Sequence, residues 1–370
     1  MCAYPGGGSA SGCSPAAISY PTIYGVEFLT LEAHLVTNFS QFVRTGFYAN
    51  HGSVNVSDAT FCNVSISYTH PGENDAVKTQ VWLPIGTWNG RLQAVGGGGW
   101  QAGLNYPALM GMSGAIGEGY STVSTDAGLG SEMTPKKWGL VSPGNVNWYL
   151  LQNLASVSLN EMAIIGKSIS ESFYGVPPKY SYFTGCSQGG RQGLMLAQRY
   201  PDAFDGIAAA APAINWNSFL VQDLWPSVLM DKLRAYPPSC EFDAITAAAI
   251  EACDAEDGVV DGVISHPETC KFDPMDIVGR TINCTNFGRN WTISSSAAEI
   301  VRETVSNFTF DASLTRANAV TSLVVGRKDC AKCHHLVRTI SRRRSNWFNN
   351  RYVDRPHCMF NKRNVRERVI

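Results

Sequence analysis

Five residues near the middle of the chain, Gly185-Cys186-Ser187-Gln188-Gly189, constrain its fold more than any other segment. Before them, Lys179 to Thr184 is a short aromatic run of strand formers; after them, Arg191 to Tyr200 carries apolar residues at helical spacing. Gly-x-Ser-x-Gly between a strand and a helix is the signature of a nucleophile elbow, which holds a serine hydroxyl out at the head of a helix. There the helix N-terminus and the amide of Gln188 face any developing oxyanion. The two glycines are expected to let the backbone turn sharply. A chain with 35 glycines also produces such a pentapeptide by chance, as an ordinary turn. The flanking strand and helix favour the elbow.

The surrounding pattern is that of an α/β protein. Residues 26–90 alternate apolar and polar residues between turn signals and read as several antiparallel strands. Leu92-Gln-Ala-Val95 reads as a buried strand that ends in four glycines, Gly96 to Gly99. A hydrolase oxyanion hole takes one amide from the residue after the nucleophile and one from an early loop of this kind. Gln188 and Gly98 are the candidate donors; the bland alternative is a Gly-rich turn. Tyr120 to Asp126 is a β-branched strand, 147–173 a long helical pattern, and 200–214 contains a further buried strand. Strands alternating with helices imply a mostly parallel sheet covered on both faces, hence an α/β-hydrolase core over residues 1–215. After Trp216 the strand series stops. Residues 216–326, with a helix at 241–252 and a loop rich in Asp, Gly and Cys, read as an inserted lid domain.

Residues 327–370 break with the rest in composition. They hold 13 Lys/Arg against 3 Asp/Glu, and no glycine. The run Arg342-Arg-Arg344 is read as part of a basic tail, not as a nucleic-acid site. Eleven cysteines and six Asn-x-Ser/Thr sites, at Asn38, Asn55, Asn63, Asn283, Asn290 and Asn307, point to a secreted glycoprotein. No apolar run reaches the ~18 residues of a membrane span. The N-terminus shows neither the basic patch nor the apolar core of a signal peptide, so a secreted form is expected to need one that this chain does not show.

Asp254, Asp257 and Asp261 crowd three carboxylates into eight residues, with Gly258 and Gly262 letting the chain curl. Such carboxylates repel one another unless a hard cation neutralises them, and Ca²⁺ prefers oxygen ligands. The carbonyls of Val259 and Val263 are further candidate donors. The pattern departs from the EF-hand loop, and a solvated acidic turn is the alternative.

Several segments together make a resemblance specific. They are Gly96-Gly-Gly-Gly-Trp100, Tyr120-Ser-Thr-Val-Ser-Thr-Asp126, Tyr182-Phe-Thr-Gly-Cys-Ser-Gln-Gly-Gly-Arg-Gln-Gly193, Tyr200-Pro-Asp-Ala-Phe-Asp-Gly-Ile207, Ala211-Pro-Ala213 and Ala252-Cys-Asp-Ala-Glu-Asp-Gly-Val-Val-Asp-Gly-Val-Ile264. In this order the chain resembles the fungal tannase/feruloyl esterase family from about residue 25 to about 310. The resemblance implies a secreted α/β-hydrolase whose lid binds structural Ca²⁺, with Ser187 as nucleophile and phenolic or plant cell-wall esters as substrates. It implies Asp254, Asp257, Asp261 and the Val259 and Val263 carbonyls as calcium ligands, and disulfides Cys253–Cys270 and, more loosely, Cys13–Cys62. It also makes Cys186 one half of a disulfide to the cysteine that follows the catalytic histidine.

The resemblance ends after about Ser322. The family's Asp and Gly-x-Gly-His-Cys segments have no counterpart in this sequence, so the C-terminal part of the core is expected to be missing and 327–370 to be a foreign tail. His357-Cys358 lacks the glycines and the spacing. Cys330-Ala-Lys-Cys333-His334 fits a haem-attachment or zinc pattern formally, and is read as accidental. His34, His51, His70 and His266 match no triad position and are expected on the surface or in turns. The rival to an esterase is therefore a catalytically inactive glycoprotein of the same fold.

Overall fold

The structure is a computed structural model; it describes residues 8–47, 51–267 and 269–306. The chain divides into two compact units, the first reaching Ile214 and the second starting at Asn215.

In chain order the first unit contains β1 (Glu27–Val43), β2 (Val54–Thr69), β3 (Val77–Pro84), β4 (Arg91–Val95), α1 (Tyr106–Gly117), β5 (Ser121–Thr125), a small hairpin of β6 (Leu140–Ser142) and β7 (Asn145–Val146), α2 (Trp148–Gln152), a π turn (Asn153–Val157), α3 (Ser158–Tyr174), β8 (Tyr180–Cys186), α4 (Gln188–Arg199) and β9 (Gly206–Ala210). Seven strands form one sheet in the order β1-β2-β3-β5-β4-β8-β9. β1, β2, β3 and β5 pair antiparallel, while β5, β4, β8 and β9 pair parallel. The parallel half is what carries an elbow: β8 runs between β4 and β9, and α4 follows from its C-terminal end.

Alternation along the strands sends side chains to opposite faces, and a different helix covers each. Leu159, Met162, Ile165 and Ile169 of α3 pack with Val64, Ile66, Val81, Leu92 and Val123. Met112 and Ile116 of α1 pack with Phe61, Trp82 and Val95. Each such side chain contributes roughly 1.5–3 kcal/mol by burial, which fixes the sheet register on both faces. The strand expected in 200–214 is β9, but its residues are only half-buried: among the described residues it pairs with β8 alone. The long helical pattern of 147–173 is interrupted by the π turn. Cys13–Cys62 pins the N-terminal segment to β2.

The second unit contains α5 (Trp216–Leu233), α6 (Ser239–Cys253), a hairpin of β10 (Thr281–Cys284) and β11 (Arg289–Thr292), and α7 (Ser295–Ser306). Its own core gathers Leu229, Met230, Phe242, Ile245, Ile293, Ala297 and Ile300. Cys253–Cys270 closes the acidic loop, and Cys240–Cys284, which nothing in the sequence pairs, ties α6 to β10. No described helix is long and apolar enough to cross a membrane. Asn38, Asn55, Asn283 and Asn290 are exposed, whereas the Asn63 side-chain oxygen is buried without a partner.

Candidate active site and metal-binding groups

Ser187 sits between β8 and α4 with φ 62° and ψ −116°, a backbone conformation rare for any residue with a side chain. Surrounding hydrogen bonds hold it there. Its N–H donates to Ala210 O at 3.0 Å, and its carbonyl accepts from Arg191 N and Ala213 N, each at 3.0 Å. The glycines allow this sharp turn through the room they leave, not through a positive φ of their own. Neither Gly185 nor Gly189 has a positive φ; the turn is made by Ser187 itself. A Cβ on Gly185 would lie 2.4 Å from Gly189 O, and one on Gly189 would lie 2.9 Å from Gly97 O. The glycines therefore provide room for the elbow to fold back on itself and for the Gly96–Gly99 loop to lie against it.

That loop is held by Gln192, a fully buried side chain one turn into α4. Its Oε1 accepts from Gly97 N at 2.9 Å and its Nε2 donates to Ala102 O at 2.8 Å. The Gly98 amide, the candidate oxyanion donor, donates to Gln101 O at 3.1 Å, and Gly96 N donates to Thr184 O at 2.9 Å. The Gly98 donor is thus engaged in this structure, and an oxyanion role would require that bridge to open. Gln188 opens α4, where its amide points along the helix N-terminus. Its side-chain oxygen accepts from Arg191 Nε at 2.7 Å. Arg191 also donates to Ala155 O at 2.8 Å and Leu154 O at 2.7 Å, so the guanidinium fastens the elbow to the π turn. Burial pushes the Arg191 guanidinium down to about 10.

In the second unit the acidic loop wraps around its own carboxylates. Asp254, mostly buried, accepts from the amides of Asp261, Gly262 and Val263. Asp257 accepts from Val259 N and Ser265 N, and Asp261 from Val263 N. The Ser265 and Val259 amides hold the Asp257 carboxyl below its usual range. The donor set is all oxygen, which suits Ca²⁺ chemically. The three carboxylates are nevertheless spread along the loop. Among the described residues only His70, Glu73 and Asp75 bring three metal-ligating atoms within 4.8 Å of one another.

His70 is no surface residue: it is 9% exposed, at the turn joining β2 to β3. Its Nδ1 lies 2.6 Å from Asp75 Oδ2 and its Nε2 lies 2.8 Å from Glu161 Oε1. Tyr68 OH donates to the other oxygen of Glu161, and Asn153 Nδ2 donates to Asp75, both at 2.8 Å. Burial acts to lower the His70 pKa, but hydrogen bonds to Glu161 and Asp75 carry it above its ordinary value. Of the other histidines, His51 pairs with Glu118 and His34 lies exposed beside Glu32. Among the described residues no imidazole hydrogen-bonds to Ser187. His334, His335, His357 and the 327–370 tail lie outside the described residues.

A mixed sheet covered by helices, with a strained serine between a parallel strand and the helix that follows it, defines an α/β-hydrolase. Known proteins narrow the class. The profile of the tannase and feruloyl esterase family matches residues 62–321. A probable feruloyl esterase of Arthroderma benhamiae is 45% identical over 271 residues, covering 73% of this chain and 49% of the relative. The tannase of Aspergillus oryzae is 35% identical over 244 residues, covering 64% and 40%. Among solved structures, the tannin acyl hydrolase from Aspergillus niger aligns with a TM-score of 0.64 at 31% identity, covering 78% of this chain and 53% of that one. The chain belongs to the tannase and feruloyl esterase family, and it spans about half the length of the curated relatives it matches.

Proposed function

We propose that the chain is a secreted carboxylic ester hydrolase for phenolic acid esters, feruloyl or galloyl, with Ser187 as nucleophile. The single observation that carries this reading is Ser187 at φ 62° between β8 and α4, in a chain of this family. In the reaction Ser187 Oγ attacks the ester carbonyl and forms an acyl-enzyme, which water then hydrolyses. The Gln188 amide, with one from the Gly96–Gly99 loop, holds the oxyanion. The reaction also needs a histidine held by an aspartate, to take the Ser187 proton and return it to the leaving alcohol, and none of the described residues fills that role. Four exposed sequons, at Asn38, Asn55, Asn283 and Asn290, and three disulfides among the described residues support an extracellular setting.

For the acidic loop, the donor chemistry supports structural Ca²⁺ held by Asp254, Asp257 and Asp261 with the Val259 and Val263 carbonyls. Bound there, the ion would order the loop and take no part in bond breaking.

The second reading, an inactive glycoprotein of the same fold, is favoured by one observation: no described imidazole reaches Ser187. Fluorophosphonate labelling separates the two. A serine with its base reacts quickly and the adduct maps to the Ser187 peptide; Ser187→Ala abolishes it. Failure to label, together with no turnover of methyl ferulate or methyl gallate, refutes the esterase reading for this chain.

A further inference from the structure

We propose that His70, Glu73 and Asp75 form a divalent-metal site for Zn²⁺, separate from the acidic loop of the second unit. The inference is independent of the esterase reading.

Geometry comes first. The three ligand atoms lie within 4.8 Å of one another, with His70 Nδ1 2.6 Å from Asp75 Oδ2 and 3.8 Å from Glu73 Oε2. Tetrahedral zinc with bonds of ~2.1 Å sets neighbouring donors about 3.4 Å apart. The contact of His70 with Asp75 would therefore open and that with Glu73 close, each by less than an ångström, and Glu73 and Asp75, within 4.8 Å of each other, would have to reach the same spacing.

The surroundings are those of a metal-ligating histidine. Such a histidine donates its other ring nitrogen to a carboxylate, which fixes the tautomer and the ring plane. Here Nε2 faces Glu161 Oε1 at 2.8 Å, and Tyr68 OH fixes the far oxygen of that carboxylate. Asp75 is oriented independently by Thr69 Oγ1, His70 N and Asn153 Nδ2. Two of the three ligands are thus preset without any ion.

Charge supplies the driving force. Three carboxylates, Glu73, Asp75 and Glu161, surround one imidazole, and among the described residues no Lys or Arg pairs with any of them. With the imidazole protonated, the group still holds two formal negative charges in excess. Hydrogen bonds meet Asp75 and Glu161 and Glu73 keeps contact with water, so what a dication would relieve is the mutual repulsion of the three carboxylates. A Zn²⁺ ion that binds Nδ1 releases its proton to solvent and reduces the excess to one. One imidazole nitrogen with two carboxylates selects a transition ion over Ca²⁺ or Mg²⁺. The Glu73 side chain, 31% exposed against 11% for His70 and 0% for Asp75, gives the side from which the ion and a fourth ligand, water, would enter.

The test compares the full chain with Glu73→Gln. The Glu73 side chain makes no hydrogen bond among the described residues, and its backbone bond to His70 O is kept in the variant, so Glu73→Gln should fold as the parent does. Thiols are alkylated first, to silence any reactive cysteine among those at 2, 186, 330, 333 and 358, and Ca²⁺ is kept saturating to occupy the acidic loop. Titration with ZnCl₂ is followed by calorimetry and by melting temperature. The parent should bind one more equivalent of Zn²⁺ than Glu73→Gln, or bind it at least tenfold more tightly. Zinc X-ray absorption on the parent should show nitrogen and oxygen ligands only. Equal stoichiometry and affinity in the two proteins, or no rise in melting temperature specific to the parent, overturns the proposal.

Discussion

Replacing Gln192 with leucine tests how the elbow and the glycine loop are joined. Leucine is close to glutamine in volume, so packing is largely kept while both hydrogen bonds are removed. The Gly97 N–H and the Ala102 carbonyl, which pair with Gln192 at 2.9 Å and 2.8 Å, are then left in a site where Gln192 itself has no exposure. A buried group left unsatisfied costs about 1–3 kcal/mol, so the pair should cost roughly 2–6 kcal/mol. For a unit of this size about 2–4 °C is lost per kcal/mol, giving a fall of roughly 4–24 °C in the melting transition of the first unit. Hydrogen exchange supplies the local readout. The Gly97 amide should exchange much faster in Gln192→Leu, while Gly96, bonded to Thr184 O, should change less. A variant that melts within a degree of the parent and keeps Gly97 protected would show that the loop is held by something other than Gln192.

Chelation should lower the melting temperature of the second unit, because a cation that binds only the native state stabilises it by mass action; Asp257→Asn should remove most of that shift. An unchanged melting curve in EDTA would count against Ca²⁺. Burial pushes the Asp223 carboxyl up to about 6, so the folded state binds its proton more tightly than the unfolded chain does. Its contribution to stability should fall as pH rises from about 4 to 6 and stay lost above, since the unfolded pKa is about 3.9. Asp223→Asn should therefore stabilise at pH 7 by on the order of 1 kcal/mol after allowance for partial solvent screening, and have no effect at pH 3. A destabilising effect at pH 7 would reveal a stabilising partner for that carboxylate.

Local chemistry was legible in the sequence, and distant pairings were not. The elbow is a contiguous motif, and its strand and helix read correctly from β formers and apolar spacing. That its glycines let the chain turn sharply follows from the motif; that Gly189 also admits Gly97 O does not, because that loop lies some ninety residues earlier in the chain. The same distance hides the hold of Gln192 on that loop. One signal was present: a polar residue on the buried stripe of α4, between Gly189 and Leu196. Gly98 followed from motif logic alone, and only the structure reveals its bridge to Gln101. His70 reads as a turn residue because its partner Glu161, and the Asn153 that holds Asp75, lie on elements that fold back from far along the chain. Cys240 and Cys284 carried no pairing information, since cysteine parity does not specify connectivity.

The π turn at Asn153–Val157 has a consequence for how this region tolerates change. A π turn amounts to one residue added to a helix, and its carbonyls are left without regular helical donors. Two of them, on Leu154 and Ala155, are the acceptors that Arg191 uses. Substitutions there alter side chains but leave the backbone acceptors in place. Deleting a single residue would not: the helix would return to its ordinary register and rotate its preceding turn by about 100°. The guanidinium would then be left buried beside Gln188 with its carbonyl partners withdrawn. Length, more than residue identity, is what this stretch must preserve.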